Sequence, residues 1–177
     1  YFEVIIIDDG SIDNSKDVYI KFVNFDARFK FFYQSNSGPS SARNLGIDKS
    51  NSEYIAFVDA DDFIASDYLE NLMNSVNKYK TDLVCTGYYE LSKFHKKPHP
   101  VNDFKEHINT TITVNEFVLN LFKGTSGVLW GKLFKSAIIK DNNLTLNPEI
   151  KMSEDLIFVL EYVFYSKRIC TWICGIK

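Results

Sequence analysis

The sequence predicts an α/β fold in which a mostly parallel sheet is flanked by helices and is followed by a smaller, less regular half. In the first half, short apolar runs alternate with stretches of helical length, in the order strand, helix, strand, helix, strand, helix, strand. Two of the apolar runs end directly in acidic residues, as expected where strands of an open α/β sheet reach a ligand-binding edge. The length of 177 residues suits one domain with a substantial core.

The predicted strands of the first half span residues 4–7, 30–33, 54–58 and 82–89. The runs at 4–7 and 54–58 are continuously apolar rather than alternating, which is typical of strands that are buried on both faces. The run at 30–33 is aromatic, and aromatic residues are common in strands.

The predicted helices of the first half cover residues 14–28, 42–50 and 66–79. In the first helix, Val18, Phe22 and Phe25 have a spacing that is compatible with one apolar face. A loop of Ser, Asn, Gly and Pro at 35–41 precedes the second helix. Ser66 is a suitable N-cap for the third helix, whose apolar residues recur at helical spacing.

The second half is less regular. Its predicted elements are a helix at 113–122, a segment at 127–134 that leads into a helix ending near 141, a helix from 153, and a strand at 171–174. Thr113 and Glu116 form a capping-box pattern at the start of the first of these helices. Ser153 is the predicted cap of the later helix, which has Glu154 and Asp155 in its first turn.

Composition excludes several classes of function. The net charge is −3, and only three of the twenty basic residues are Arg, which argues against nucleic acid as a partner. Three cysteines, an odd number, do not form a disulfide framework. No apolar run has the length of a membrane span, so we expect a cytoplasmic protein, with peripheral association at the inner face of the membrane left open.

The acidic residues at the strand ends indicate a ligand site. Asp59, Asp61 and Asp62 follow one apolar run, and Asp8 and Asp9 follow another. Hard cations such as Mg²⁺ and Mn²⁺ take oxygen ligands and are usually held by one or two carboxylates together with substrate phosphates. The pattern therefore predicts a metal–diphosphate site at this edge of the sheet. The alternative is that these aspartates only open a loop and cap the helix after it.

Five segments, in order, resemble a known family over most of the chain. They are VIIIDDGSIDNS, NSGPSSARNLGI, YIAFVDADDF, VLWGKLFKSAII and MSEDLIF. Together they look like the signature of the family 2 glycosyltransferases with the GT-A fold. DDGS with a later Asp-x-Asp is fairly specific for that family, and the ordered set of five is strongly specific.

The resemblance implies an inverting transfer of a sugar from a nucleotide-diphospho-sugar, with a UDP-sugar as the expected donor and Mg²⁺ or Mn²⁺ bridging the diphosphate. It implies that Asp9, and less directly Asp8, contacts the nucleobase. It implies that Arg43 lies near the nucleotide and that Asp59 borders the ribose. Asp61 is implied to be the metal ligand.

The resemblance also implies that Asp155 is the catalytic base that accepts the proton of the acceptor hydroxyl. Each of these residues has a simpler interpretation. An acid in a first helical turn complements the helix dipole, so Asp155 alone predicts only a helix start. Arg43 follows a Ser/Gly loop near a helix start, which is a natural anion site, but a surface ion pair would explain it as well.

The family normally opens with an earlier strand, which this sequence lacks, so we expect an N-terminally truncated domain. Within the single domain we predict a nucleotide-sugar-binding half at 1–90 and an acceptor-binding half at 91–177. The expected acceptor is a saccharide or a lipid-linked molecule, in the synthesis of a cell-surface polysaccharide or glycolipid. That setting depends on analogy with the family.

Two other functions stay open. An Asp-nucleophile phosphatase also has an Asp-x-Asp motif after an apolar strand, here Asp59 and Asp61. Neither Thr nor Val follows the second Asp at the spacing expected for that class, and the DDGS segment has no role in it. The third possibility is a non-catalytic module that binds a nucleotide-sugar or another protein.

Overall fold

The computed structural model describes residues 1–90, 99–101, 104, 107, 109–121 and 127–172. The strands are β1 (Val4–Asp9), β2 (Phe29–Gln34), β3 (Tyr54–Ala56), β4 (Leu83–Thr86), β5 (Tyr88–Glu90), β6 (His99–Val101), β7 (Thr110–Ile112), β8 (Lys132–Lys135) and β9 (Ile169–Trp172). The helices are α1 (Ser15–Phe25), α2 (Pro39–Lys49), α3 (Tyr68–Tyr79), α4 (Val114–Leu121), α5 (Ser136–Asp141) and α6 (Glu154–Tyr165). Within the described ranges, no helix combines the length and the apolar character that a membrane crossing requires.

The strands form a two-stranded parallel sheet of β1 and β2, a five-stranded sheet, and a two-stranded antiparallel sheet of β5 and β6. The five-stranded sheet has the order β3-β8-β4-β9-β7. In it β3, β4 and β9 run in one direction, and β8 and β7 run in the other. The predicted mostly parallel arrangement therefore holds for β1 with β2 and for β4 with β9, whereas the other three strand pairs of the five-stranded sheet, which involve β8 and β7, are antiparallel.

The sequence prediction missed β8. It treated 127–134 as a segment that leads into a helix, whereas 132–135 form the strand between β3 and β4. Short apolar runs do not by themselves distinguish a strand from the start of a helix, and this strand is specified by partners far along the chain. The predicted strand at 82–89 is likewise divided into β4 and β5.

The boundaries of two helices also differ from the prediction. α2 begins at Pro39, inside the segment predicted as a loop, because proline at the first helical position sacrifices no hydrogen bond. α3 begins at Tyr68 with Asp67 at its N-cap position, so Ser66 is not the cap. The capping box before α4 is confirmed, since the N–H of Thr113 donates to Glu116 Oε2 at 2.7 Å and the N–H of Glu116 donates to Thr113 Oγ1 at 3.2 Å.

The five-stranded sheet separates two apolar cores. Neighbouring residues of a strand point to opposite faces, so Phe134 of β8 lies in the larger core and Leu133 in the smaller one. Leu83 and Val84 of β4 divide in the same way. The larger core contains residues of α4 and α6, and the smaller core packs against α3. Residues from both halves of the chain, such as Ile55 and Phe158, thus lie together in the larger core.

Helix α6 is attached to this sheet by Tyr162, which is fully buried. Its hydroxyl donates to the carbonyl of Asp82 at 2.6 Å and accepts from the N–H of Lys135 at 2.7 Å. Burial raises the pKa of the Tyr162 hydroxyl, which therefore stays protonated and can donate. The ring of Tyr162 also meets Phe134 edge to face, with centroids 4.9 Å apart. These contacts fix the helix, and hence the residues of its first turn, relative to β4 and β8.

We predict that Phe134→Ala lowers the free energy of unfolding by about 3–5 kcal/mol, because a fully buried ring is replaced by a cavity. The matched control is Phe25→Ala, since Phe25 is 88% exposed and its loss should change that free energy by no more than about 0.5 kcal/mol. Urea unfolding followed by circular dichroism measures both. Equal effects of the two substitutions would contradict this description of the core.

Candidate active site

Arg43 of α2 contacts three carboxylates that come from two other parts of the chain. Its Nη1 lies 2.9 Å from Asp155 Oδ1 and 3.5 Å from Glu154 Oε1. Its Nη2 lies 3.2 Å from Asp59 Oδ1. Only 19% of the Arg43 side chain is exposed. The ion pairs therefore join α2, the loop after β3 and the first turn of α6 at one place, and we call these four residues the Arg43 cluster.

The charges of the Arg43 cluster do not balance, since one guanidinium faces three carboxylates. Burial is the main influence on Asp155 and raises its pKa. The positive charge of Arg43 and a hydrogen bond from the N–H of Leu129 lower the pKa, whereas the negative charges of Glu154 and Asp59 raise it. The net result is a pKa above the ordinary value of an aspartate. A carboxylate with a raised pKa is a better proton acceptor near neutral pH.

The residue before these two acids has an unusual backbone. Ser153, at the N-cap position of α6, has φ +67° and ψ +20°, in the left-handed region that non-glycine residues seldom occupy. Its side chain makes no capping hydrogen bond, so the prediction that Ser153 caps the helix is wrong. Strained backbone of this kind clusters at functional sites, where the surrounding structure enforces it. Here it lies directly before Glu154 and Asp155.

Three acids, Asp59, Asp61 and Asp62, lie within the six residues after β3. The N–H of Asp62 donates to the carbonyl of Asp59 at 3.1 Å, which closes a tight turn. Burial, followed by the negative charges of Asp59 and Asp61, raises the pKa of Asp62. Asp61 is exposed, and its carboxylate makes no hydrogen bond or ion pair with the described part of the chain. The turn thus presents negative charge that Arg43 compensates only at Asp59.

Within the described residues, no group of three or more His, Cys, Asp or Glu side chains is arranged to hold a metal ion. A Mg²⁺ or Mn²⁺ ion shared with a diphosphate does not need such a group, because one or two protein carboxylates and the phosphate oxygens complete its coordination. The exposed carboxylate of Asp61, with Asp62 beside it, fits that kind of ion. The donor set is made of hard oxygens, as these ions prefer.

Asp9, at the end of β1, organises the entry to α2. Its Oδ1 accepts from Gln34 Nε2 at 2.7 Å and from the N–H of Ser37 at 2.8 Å, and its Oδ2 accepts from the N–H of Gly38 at 2.8 Å. Burial acts to raise the pKa of Asp9, but the three hydrogen bonds outweigh it and hold the pKa below the usual value. Asp9 is therefore ionised and lies at the N-terminus of the helix that carries Arg43.

Asp8 is buried, with 3% of its surface exposed, and its Oδ1 accepts from the N–H of Ser11 at 2.7 Å. This contact closes the turn after β1. Gly10 of the same turn has φ +80°, and a Cβ there would lie 2.7 Å from the backbone nitrogen of Asn36. A side chain at position 10 would push the turn away from the loop before α2. The contacts of Asp8 are structural, and its role in donor binding stays a prediction.

The structure thus brings Arg43, Asp59 and Asp155 into direct contact, with Asp61 two residues from Asp59. Asp9 does not touch the Arg43 cluster but holds the start of α2. The sequence prediction assigned no role to Glu154, since an acid in a first helical turn has the simpler explanation of the helix dipole. The only sequence signal for it was its position next to Asp155.

The sequence of this chain is similar to those of known glycosyltransferases. The model of the family described as Glycosyl transferase family 2 matches residues 1–132. The putative glycosyltransferase EpsH of Bacillus subtilis is 31% identical over 170 residues, which cover 94% of this chain and 48% of EpsH. The cholesterol galactosyltransferase of Borreliella burgdorferi is 29% identical over 178 residues, which cover 94% of this chain and 48% of that protein. The chain spans about half the length of these relatives.

Solved structures match nearly all of this chain. A crystal structure of residues 1–349 of Staphylococcus aureus TarS in complex with UDP superposes with a TM-score of 0.78 and 25% identity, covering 96% of this chain and 48% of that one. The mannosyltransferase PcManGT of Pyrobaculum calidifontis, in complex with GDP-Man and Mn²⁺, superposes with a TM-score of 0.62 over 96% of this chain and 45% of that one. At 14% identity the second likeness concerns the fold alone.

These likenesses confirm the predicted GT-A class of α/β fold. The family model covers most of the sequence, including the segments that supply Asp9, Arg43, Asp59 and Asp61. The chain therefore belongs to glycosyl transferase family 2.

Proposed function

We propose that this chain carries the donor site and the catalytic base of an inverting, metal-dependent glycosyltransferase. The reaction moves a sugar from a nucleotide-diphospho-sugar to a hydroxyl of a saccharide or lipid-linked acceptor. The observation that carries the proposal is the Arg43 cluster, in which Arg43 joins Asp59 on the donor side to Asp155 on the acceptor side. The family membership of the chain supports the same reaction class.

The donor is a UDP-sugar bound by residues 1–90. Asp9 hydrogen-bonds the nucleobase, Asp59 borders the ribose, and Arg43, in the second turn of α2, lies beside the diphosphate. Support comes from TarS, whose crystal structure contains UDP. The hydrogen bonds of Asp9 also support it, because they hold an ionised carboxylate at the C-terminal end of β1, where ligands of α/β folds bind.

Asp61 would hold the Mg²⁺ or Mn²⁺ ion together with the donor's diphosphate. When bound, the ion supplies Lewis-acid stabilisation of the negative charge that develops on the leaving diphosphate. The protein contributes the exposed carboxylate of Asp61. It also keeps Asp59 paired with Arg43, so that Asp59 and Asp61 do not compete for the same ion.

Asp155 accepts the proton of the acceptor hydroxyl while that oxygen attacks the anomeric carbon from the face opposite the leaving diphosphate. This direction of attack inverts the anomeric configuration. Arg43 holds Oδ1 of Asp155, and the N–H of Leu129 approaches Oδ2 at 3.4 Å, so the carboxylate has a fixed orientation. Residues 91–177 supply the acceptor side, because α6 carries the base.

The phosphatase alternative is weaker. Asp59 would be the nucleophile of that reaction, yet its carboxylate is ion-paired with Arg43. Incorporation of phosphate label at Asp59 would support that alternative. The biological setting that we propose is synthesis of a cell-surface polysaccharide or glycolipid in the cytoplasm or at the inner face of the membrane. It is consistent with the names of relatives such as the poly(ribitol-phosphate) β-N-acetylglucosaminyltransferase TarS.

The first test compares two substitutions of aspartate. Asp155→Asn should lower the turnover number by about 10²–10⁴-fold, because the proton acceptor is lost, while UDP binding in the presence of Mn²⁺ stays unchanged. Asp61→Ala should lose both the turnover and the binding of UDP in the presence of Mn²⁺. Product formation from UDP-, GDP- and dTDP-sugars measures the turnover, and titration calorimetry measures the binding.

The matched control for these two variants is Asp141→Asn, at the exposed end of α5, which should change neither quantity. Normal transfer by Asp155→Asn would show that Asp155 is not the base. Unaltered Mn²⁺-dependent UDP binding by Asp61→Ala would show that Asp61 does not hold the metal.

The second test is the pH dependence of kcat/KM, which reports the base in the free enzyme. Asp155 must be ionised to accept a proton, and its pKa is raised by burial, so activity should fall as the pH drops through a value above the ordinary 3.8 of an aspartate. The residual activity of Asp155→Asn should lack this acidic limb. A wild-type profile that stays flat down to about pH 4 would contradict the assignment.

A further inference from the structure

Glu154 shares a nitrogen of Arg43 with the proposed base. Nη1 lies 2.9 Å from Asp155 Oδ1, a short charge-assisted contact, and 3.5 Å from Glu154 Oε1, at the outer limit of a hydrogen bond. Both acids are 17% exposed, so neither is solvated freely. The guanidinium is thus bound firmly to Asp155 and loosely to the glutamate directly before it.

The contact with Arg43 orients Asp155 but lowers its strength as a base. A carboxylate oxygen that accepts from a guanidinium is a poor proton acceptor, and Oδ2 of the same group faces the N–H of Leu129 at 3.4 Å. Oδ1 becomes a stronger acceptor for the proton of a hydroxyl group when its contact with Arg43 is lost. Breaking a shielded ion pair without a replacement would leave a poorly solvated charge, which is costly.

Glu154 supplies the replacement. We propose that Glu154 is a positioning residue that takes Nη1 of Arg43 when the substrates assemble, and so releases Oδ1 of Asp155 for proton transfer. Asp59 keeps Nη2 throughout, so the guanidinium pivots within the cluster instead of leaving it. The proposal depends on the proposed function, in which Asp155 is the base.

The movement of Arg43 Nη1 from Asp155 to Glu154 is consistent with a balanced sugar-transfer step. The O–H bond of the acceptor breaks, and its proton goes to Oδ1 of Asp155. The acceptor oxygen forms a bond to the anomeric carbon, and the bond from that carbon to the diphosphate breaks with its electron pair on the diphosphate. Arg43 stays paired with Glu154 and Asp59 during this step.

The charged groups that face Asp155 come from three elements. Arg43 belongs to α2, Asp59 to the loop after β3, and Glu154 to α6, and the N–H of Leu129 adds a neutral donor before β8. In Glu154→Gln, a negative charge that raises the pKa of Asp155 is lost, and Arg43 remains on the base. Both changes lower the pKa of Asp155 and make it a weaker proton acceptor.

The test is steady-state kinetics of Glu154→Gln with a UDP-sugar donor. We expect kcat to fall by about 10-fold, an effect of the size found for directly coupled residues. The KM of the donor should be unchanged, and the acidic limb of the pH profile should move to lower pH. Glu154→Asp, which keeps the charge, should recover part of kcat. The control is Glu161→Gln, on the exposed side of the same helix, which should behave as the wild type.

An unchanged kcat with an unmoved acidic limb in Glu154→Gln would overturn the proposal, and so would a lost affinity for UDP, since Glu154 would then belong to the donor site. A purely structural role would lower the amount of folded enzyme without moving the pH limb, and would overturn it too. The proposed function has a separate test. Normal transfer by Asp155→Asn would show that Asp155 is not the base, whatever the effect of Glu154→Gln.

Discussion

The ion pairs of Arg43 are the interaction on which the site depends. They are the contacts that join α2, the acidic turn after β3 and the start of α6, whose charged residues are up to 112 positions apart in sequence. Arg43 is itself placed by the polar contacts of α2. Asp9 fixes the backbone before the helix, and Asn44 donates to the carbonyl of Leu146 and accepts from its N–H, at 2.7 Å and 2.8 Å. The guanidinium is therefore held from its own helix as well as by its acidic partners.

The other side of the cluster is held by the apolar core. Tyr162 connects α6 to the sheet through two hydrogen bonds, and Phe158 packs edge to face on Phe134 with centroids 5.9 Å apart. The first turn of α6 lies on this rigid base, but it is entered through Ser153 in a left-handed conformation. The packing of α6 and the left-handed backbone of Ser153 before it give Asp155 a fixed position. Burial of the Asp155 carboxylate keeps its pKa raised. Stability and the proposed chemistry thus depend on the same helix.

The sequence predicted the features that local patterns encode. The capping box of Thr113 and Glu116 is present. Asp8 and Asp9 are the last residues of β1, and Asp59 lies three residues after β3, close to the strand ends that the apolar runs indicated. It did not predict β8, whose place between β3 and β4 is decided by pairing with residues about 50 to 80 positions away. Nor did it predict the role proposed for Glu154, because the distance of its carboxylate from Arg43 follows from the packing of α6 and not from spacing along the chain.

The central claim is that Arg43 is physically coupled to Asp155. A double-mutant cycle of Arg43→Met and Asp155→Asn, followed by the free energy of unfolding in urea, measures that coupling directly. Because both side chains are mostly buried, at 19% and 17% exposed, we predict a coupling free energy of about 0.5–3 kcal/mol. Effects of the two substitutions that add within about 0.3 kcal/mol would contradict the claim, since residues that do not interact are additive.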